Sequence, residues 1–298
     1  MEEVIEIGTQ YKNDERLDSS GFLKEARYHQ SRFRCDYLKL NYNKFGSHLT
    51  REDAANGFNF YNSFGIFDAV KKRPYSDSLY ANMLRSEHIP YNLFIPLNND
   101  LVYCSKVFNE ILNKTIYKIS PVIIEHSPRP SKNYLNDRTS FDFYFVYIHM
   151  DGSKGAIGIE VKYTEREYKL KPDSAEALHV NNPDSIYYKI TNQSDIYKFE
   201  RINNLKDDNF RQLWRNQLLG ETILLKEKNI KYFTSIINYP KTNSHFEKIC
   251  KKYKDLLQDK FISITYEEYL SICKQHCPSN DFLNWIEYLK KRYIVGTY

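Results

Sequence analysis

Residues 141–163 alternate with a period of two on either side of an Asp-Gly turn, and charge interrupts the alternation at three places. Along 156–163, Ile157, Ile159, Val161 and Tyr163 fall on one face of a strand, with Glu160 and Lys162 on the other. Along 141–148, Asp142 shares its face with Tyr144, Val146 and Ile148. Asp151-Gly152 between the runs is a hairpin signal. A loop centred on Asp151 pairs residues whose numbers sum to 302 and sets Asp142 opposite Glu160, whereas one centred on Gly152 sets Asp142 opposite Lys162. Either odd-length loop gathers the three charged side chains on one face. A two-residue Asp151-Gly152 turn would pair Asp142 with Val161 and scatter them.

The rest of the chain reads as alternating helices and strands. Residues 21–38 form one helix and 56–70 contain a short one. A further helix spans 78–93, ended by Pro96, and 115–127 form a strand. After Glu165 comes a polar excursion of about forty residues, too long for an ordinary connection and of a kind that often carries function. A helix then starts at an Asp208-Asn209 N-cap and runs to Lys228, followed by a strand over 230–239. The last part holds a helix near 245–257, a strand over 261–265, and helices after Tyr266 and over 282–293. The fold class is therefore mixed α/β, a central mixed sheet flanked by helices on both sides.

Two helices carry further chemistry. In the 209–228 helix Phe210, Leu213, Trp214, Leu218, Leu224 and Leu225 make an apolar stripe, with Gln217 and Glu221 in its middle. A buried amide and a buried acid need partners, which an active site would supply, so Gln217 is a candidate catalytic residue. Gln212 and Arg215 lie off the stripe, and Arg215 suits a phosphate contact or plain solvent. In the 245–257 helix Lys248, Lys251, Lys252 and Lys254 stand opposite an apolar side of Phe246, Ile249, Cys250, Tyr253 and Leu257. Such lysines make a soluble face or a sequence-independent phosphate grip.

Composition changes this picture only a little. At 298 residues the chain can bury a large core, and no Pro/Gly/Ser linker or internal repeat divides it. We expect an N-terminal extension over 1–75, packed on a core domain over 76–298. The net charge of +5 permits nucleic-acid binding without demanding it. The 26 tyrosines fit an AT-rich genome better than a stacking surface. The start, "MEEVIEIGTQ", lacks a basic-then-apolar signal layout, and no apolar run is long enough to cross a bilayer. Five cysteines without paired spacing read as reduced thiols of a cytoplasm, and "CKQHC" (Cys273–Cys277) reads as ordinary thiols, having no second metal-binding pair.

The hairpin's charges imply chemistry of their own. Two adjacent carboxylates repel each other, and burying them without a partner is costly. A Glu–Lys–Asp ladder on a solvated face would avoid that cost, but these groups stand between apolar runs. A divalent cation resolves the conflict, and oxygen ligands at this spacing suit Mg²⁺ or Mn²⁺. Asp142, seventeen residues, then Glu160-Val161-Lys162 resembles the motif of the PD-(D/E)XK, or restriction-endonuclease-like, nucleases. That resemblance implies metal binding by Asp142, Glu160 and the carbonyl of Val161, with Lys162 as the catalytic lysine. Phe141 stands where the motif's name has proline. The predicted helix–strand–strand–strand–helix–strand order is the layout of that family's core. "RYHQSRFR", "NMLRSEHIPYNLFIPL", "GIEVKYTE" and "QLWRNQLL" are similar to a bacterial branch of restriction-like nucleases. Members place an acidic residue on the first core helix near the metals, which implies Glu87. Glu165 at the strand's exit and Glu125 in the preceding strand are further candidates.

The resemblance implies a metal-dependent nuclease acting on DNA, in restriction or phage defence. Arg215, Lys248, Lys251 and Lys252 are the expected nucleic-acid contacts, and a second copy or a defence-system protein is the partner the family allows. Two other functions stay open on the same fold: a non-cleaving subunit that binds nucleic acid or protein, and a nuclease acting on RNA.

Overall fold

The computed structural model describes residues 5–9, 21–73, 80–114, 116–166, 169–258 and 261–297. Its centre is the hairpin of β5 (Phe141–His149) and β6 (Lys154–Val161). Phe143 pairs with Ile159, Phe145 with Ile157 and Ile148 with Lys154, so the register sums to 302 and the loop is centred on Asp151. The Asp151 carboxylate accepts from Ser153 N and Oγ at 2.9 and 2.6 Å, and Gly152 takes a φ of +80° that suits its missing side chain. This is the first of the two odd-length loops.

Around the hairpin lies a six-stranded mixed sheet. β7 (Tyr232–Tyr239) runs parallel to β6, and β8 (Phe261–Thr265) runs parallel to β7. On the other edge β3 (Ile116–Ile119) and β4 (Ile123–His126) both pair antiparallel with β5, one along each half of it. The strand expected over 115–127 is thus interrupted, and position 115 lies outside the described residues. Pro121 explains the break, because it offers no ladder N–H, and Ser120 bridges the gap by bonding both ways with Val146. A separate two-stranded sheet joins β1 (Tyr42–Asn43) to β2 (Phe45–Leu49).

Each face of the main sheet has its own core. Phe143, Phe145, Tyr147, Ile157, Ile159, Val161 and Tyr163 pack with Val107, Tyr269, Trp285 and Ala26, which come from the Leu101–Leu112, Tyr266–Gln275, Asn280–Tyr293 and Gly21–Arg32 helices. On the opposite face Tyr144, Ala156, Phe233 and Ile237 pack with Trp214, Leu218 and Tyr253 of the Arg211–Lys226 and Ser244–Lys254 helices. The described part of the N-terminal 75 residues joins the first core: Ala26, Phe33, Leu49 and Phe60 are buried there, and Gln30 Nε2 donates to Tyr163 Oη at 2.8 Å. The boundary expected at 75/76 falls outside the described residues.

Two expected elements take another form. The helix over 78–93 is interrupted: residues 80–81 are helical, 82–85 are not, a 3₁₀ turn (Ser86–His88) and a short helix (Ile89–Phe94) follow, and 78 and 79 lie outside the described residues. Pro90 fixes where the second helix starts, because proline is tolerated in a first turn. The polar excursion is ordered by two short helices (Ala175–Val180 and Ile186–Gln193) and a 3₁₀ segment (Phe199–Lys206). Its sparse apolar residues Val180, Tyr187, Ile190, Ile196 and Leu205 reach the second core.

The Arg211–Lys226 helix is the crossover between β6 and β7, and it sits close to the sheet at Gly220. An ideal Cβ there would lie 2.0 Å from Phe233 Cε1. Gly220→Ala should therefore destabilise the protein by about 1–3 kcal/mol through overpacking, against the gain of about 1 kcal/mol that helix propensity alone gives. Denaturant unfolding of the two proteins decides between these signs.

Candidate active site

In an open α/β sheet the carboxyl ends of parallel strands face the solvent crevice where ligands bind. The carboxyl end of β6 is Glu160-Val161, with Lys162 next. Asp142 stands one step before the Phe143–Ile159 pair on β5, which puts it across from Glu160. Its Oδ2 accepts from Val161 N at 2.7 Å. A strand residue's amide and carbonyl leave on the same side, so the Val161 carbonyl also faces β5.

The backbone at Lys162 is held from two sides. Its N–H donates to Asn238 O of β7 at 2.9 Å, and its carbonyl accepts from Tyr266 Oη at 2.7 Å. The side chain is thereby aimed along the sheet, and Nζ donates to Glu160 Oε1 and to Gln212 Oε1, each at 2.6 Å. Gln212 Nε2 donates in turn to Glu160 Oε1, and Asn216 Nδ2 donates to Glu160 Oε2 at 2.5 Å. Glu160 and Lys162 are 5% and 2% exposed, so this is a buried ion pair with every carboxylate oxygen satisfied.

The amide expected beside Lys162 is a different one. Gln217 is wholly buried, but its Nε2 donates to Glu221 Oε1 at 3.0 Å, and its Oε1 has no partner among the described residues. The Arg211–Lys226 helix is buried around almost its whole circumference, so it carries two internal polar ridges. Gln212 and Asn216, one turn apart, face β6, whereas Gln217 and Glu221 face elsewhere. The stripe of apolar residues marks only one of the helix's two packed sides, which is why Gln212 lies off it.

The other acids divide in the same way. Glu87 lies in the 3₁₀ turn, not on a helix, and pairs with Arg85 Nη2 at 2.7 Å. A new helix begins around Pro90 after it, and its charge acts on Glu125, which in turn acts on Asp142. Glu165 is tied to backbone, accepting from Ser86 N at 3.2 Å and Tyr163 N at 2.9 Å. Glu125, with a left-handed φ of 54°, accepts from Ser140 Oγ at 3.2 Å. Burial raises its pKa, Arg73 opposes that, and Glu160 and Glu87 add to the rise.

Asp142 carries the largest strain of this acid group. Part of its surface stays open, but its carboxyl lies deep in the site. Its pKa is held well above the usual carboxylate range by burial first, then by Glu160 and Glu125, with Lys162 and the Val161 amide opposing. A divalent cation fits such a donor set. Two carboxylates and one carbonyl suit Mg²⁺, which keeps most of its waters. No closed cage of three or more His, Cys, Asp or Glu side chains exists among the described residues.

The cationic candidates also separate. Arg215 is engaged inside the fold: Nη1 donates to Glu176 Oε2 at 2.9 Å, and Nε and Nη2 donate to Thr139 Oγ1 at 3.1 and 2.9 Å. Burial lowers its pKa, but Tyr187, Glu176, Asp137 and Glu160 outweigh that, and the net shift is upward. Arg211 binds the same Glu176 at 2.6 Å, so the two arginines staple the excursion to the helix. Lys248, Lys251 and Lys252 are exposed on the Ser244–Lys254 helix. In "CKQHC", Cys273 is buried and His276 Nε2 bonds Glu110 Oε2 at 2.7 Å.

The raised Asp142 pKa has a measurable consequence. Between the unfolded value of about 3.9 and the raised one, the native state binds more protons than the unfolded chain, so stability falls as pH rises through that window. Buried His29 and half-buried His48 and His126, lowered to about 4, tilt stability the other way. They do so equally in wild type and in Asp142→Asn. The stability of wild type minus that of Asp142→Asn, without metal, should therefore decline as pH rises above about 4. Parallel unfolding curves would mean that the carboxylate crowding is not felt.

A family model described as the PD-(D/E)XK nuclease superfamily matches residues 12–295. No curated protein and no solved structure gives a significant match. The match runs through both strands of the hairpin, the helix that bears Gln212 and Asn216, and the Tyr266 that anchors Lys162. This chain belongs to the PD-(D/E)XK nuclease superfamily.

Proposed function

We propose that the protein is a hydrolase that cuts phosphodiester bonds in DNA and depends on Mg²⁺ or Mn²⁺. The observation that carries this reading is the convergence of Asp142, Glu160 and Lys162 at the carboxyl end of β6. Asp142, Glu160 and the Val161 carbonyl would hold the cation. A bound cation supplies an activated water and neutralises charge on the phosphate. Lys162 donates to the charge that develops on the phosphoryl oxygens, a role its buried, hydrogen-bonded ammonium is pre-organised for. Gln212 and Asn216 orient Glu160 and keep Lys162 beside it. Superfamily membership supports a nucleic-acid substrate, and the complete acid and lysine set favours cutting over mere binding. Lys248 and Lys252, with Lys251 beside them, are the surface cations of this reading.

The setting is a proposal as well. Five free thiols, three of them buried, fit a reducing cytoplasm, and no described helix is long and apolar enough to cross a membrane. A role in restriction or phage defence, with a second copy or a defence protein as partner, rests on the family. Incubation with plasmid DNA and with RNA, in Mg²⁺, Mn²⁺ or EDTA, tests the activity. Cleavage of RNA alone would move the substrate class, and no cleavage under any condition would leave a binding subunit.

Asp142→Ala should abolish cleavage in that assay while the protein stays folded, and Glu160→Ala should abolish it with a loss of stability of about 3–5 kcal/mol, because buried Lys162 loses its partner. Lys162→Ala should lower the single-turnover rate by roughly 100- to 1,000-fold and leave metal affinity in place, because both carboxylates remain. Lys162→Arg should not restore the rate, since a planar guanidinium cannot take the ammonium's place between Glu160 and Gln212. A Lys162 variant that loses nucleic-acid affinity but keeps its chemical rate would make the lysine an anchor.

A further inference from the structure

Two hollows meet at His245 and Lys248. The smaller, about 320 Å³, is walled by Thr164, Glu165 and Arg166 just past the end of β6. Asn243, on its other wall, donates from Nδ2 to Tyr163 O at 2.8 Å, one residue from Lys162. The larger, about 740 Å³, lies beyond the same histidine and lysine. It is bounded by the Ser244–Lys254 helix on one side and by the end of the polar excursion on the other.

The larger hollow is built and charged. Lys198 N donates to Leu256 O at 3.0 Å and Gln258 N to Ile196 O at 2.6 Å, so the excursion is laced to the chain that follows the helix. Lys198, Arg201, Lys248 and Lys252 stand around it, against only Asp207 and Asp255. Lys248 and Lys252 are one turn apart and point into it, while Lys251, on the same helix, does not line it. Its lining also includes apolar groups: Phe210, Ile249 and Leu256. Phe210 stacks at a tilt on Tyr253, 6.1 Å between centroids, and comes two residues before the Gln212 that holds Lys162.

We infer that the two hollows form one groove that leads an unpaired nucleic-acid strand away from the scissile phosphate. The inference rests on the nuclease reading above and names its substrate more closely. A duplex presents phosphates to such a surface and would use the cations alone. An unpaired strand also presents base faces, which give the half-buried Phe210 ring something to hold, while Ile249 and Leu256 beside it belong to the core. The excursion is thus one bank of a strand-binding channel, with Lys198 and Arg201 facing Lys248 and Lys252 across it.

Fluorescence anisotropy tests this in a Lys162→Ala background with Mg²⁺, using a labelled oligonucleotide either single-stranded or annealed to its complement, over a range of salt. The single strand should bind more tightly than the duplex. Lys248→Gln with Lys252→Gln should weaken single-strand binding and flatten its log–log salt dependence by about 0.7 for each phosphate left unneutralised. Lys106→Gln, an exposed lysine of the Leu101–Leu112 helix across the sheet, should change neither. Phe210→Leu, which keeps the core filled, should weaken the single strand by roughly 5- to 100-fold and spare the duplex. Equal affinity for both oligonucleotides, or a salt slope unmoved in the double lysine variant, would overturn the groove even if the wild-type protein cuts nucleic acid. A wild-type protein that neither binds nor cuts any nucleic acid would instead overturn the nuclease reading, and the groove with it.

Discussion

A charged lysine and a charged glutamate that have both lost their water must be kept together at the end of β6. Separating such a buried pair by deleting one partner costs about 3–5 kcal/mol, because the survivor is left uncompensated. The architecture around Glu160 and Lys162 answers that constraint. Gln212 shares Glu160 Oε1 with Lys162 and Asn216 takes Oε2, and Asn238 and Tyr266 fix the backbone from which Lys162 extends. The Arg211–Lys226 helix must lie tight on the sheet for its amides to reach, which is what Gly220 permits at Phe233. Site geometry and helix packing are one problem with one solution.

Within that arrangement Asp142 is the unresolved charge. Its single bond to the Val161 amide does not offset burial next to Glu160 and Glu125. The protein therefore keeps an acid that favours its proton without a cation and favours ionisation with one. Such coupling would make the proposed metal a structural participant as well as a chemical one, because each cation bound should displace protons from the group.

The sequence revealed the parts of this site that depend on period. The alternation in β5 and β6 and the odd loop at Asp151 are enough to bring Asp142, Glu160 and Lys162 to one face, and the register agrees. The helices and strands from Arg211 onward were legible for the same reason, since their apolar residues repeat cleanly. The identity of the supporting amides was not. Gln212 and Gln217 are equally polar, and choosing between them needs the rotation of a helix that is packed on nearly all sides. Glu87 differs in its element: it lies in a 3₁₀ turn three residues before Pro90, where a new helix begins, and not on a continuous helix, yet its charge is felt by Glu125. The excursion after Glu165 lay beyond periodic reasoning altogether, because its few apolar residues act singly, each finding a place in the second core.

The hold that Asn238 and Tyr266 exert on Lys162 reaches into the protein's synthesis. A ribosome releases residues in order, and a nascent chain that has already delivered Asp142, Glu160 and Lys162 still lacks the two amides, the parallel strand and the tyrosine that position them. The lysine's main chain has no fixed seat until residue 266 has emerged, and Gln30 waits longer still for Arg292, whose carbonyl it binds at 2.6 Å. A chain made only as far as residue 165 therefore carries all three charged residues of the proposed cutting centre without the partners that hold them in place. On the proposed function, such a protein would stay silent during translation until residue 266 has been delivered.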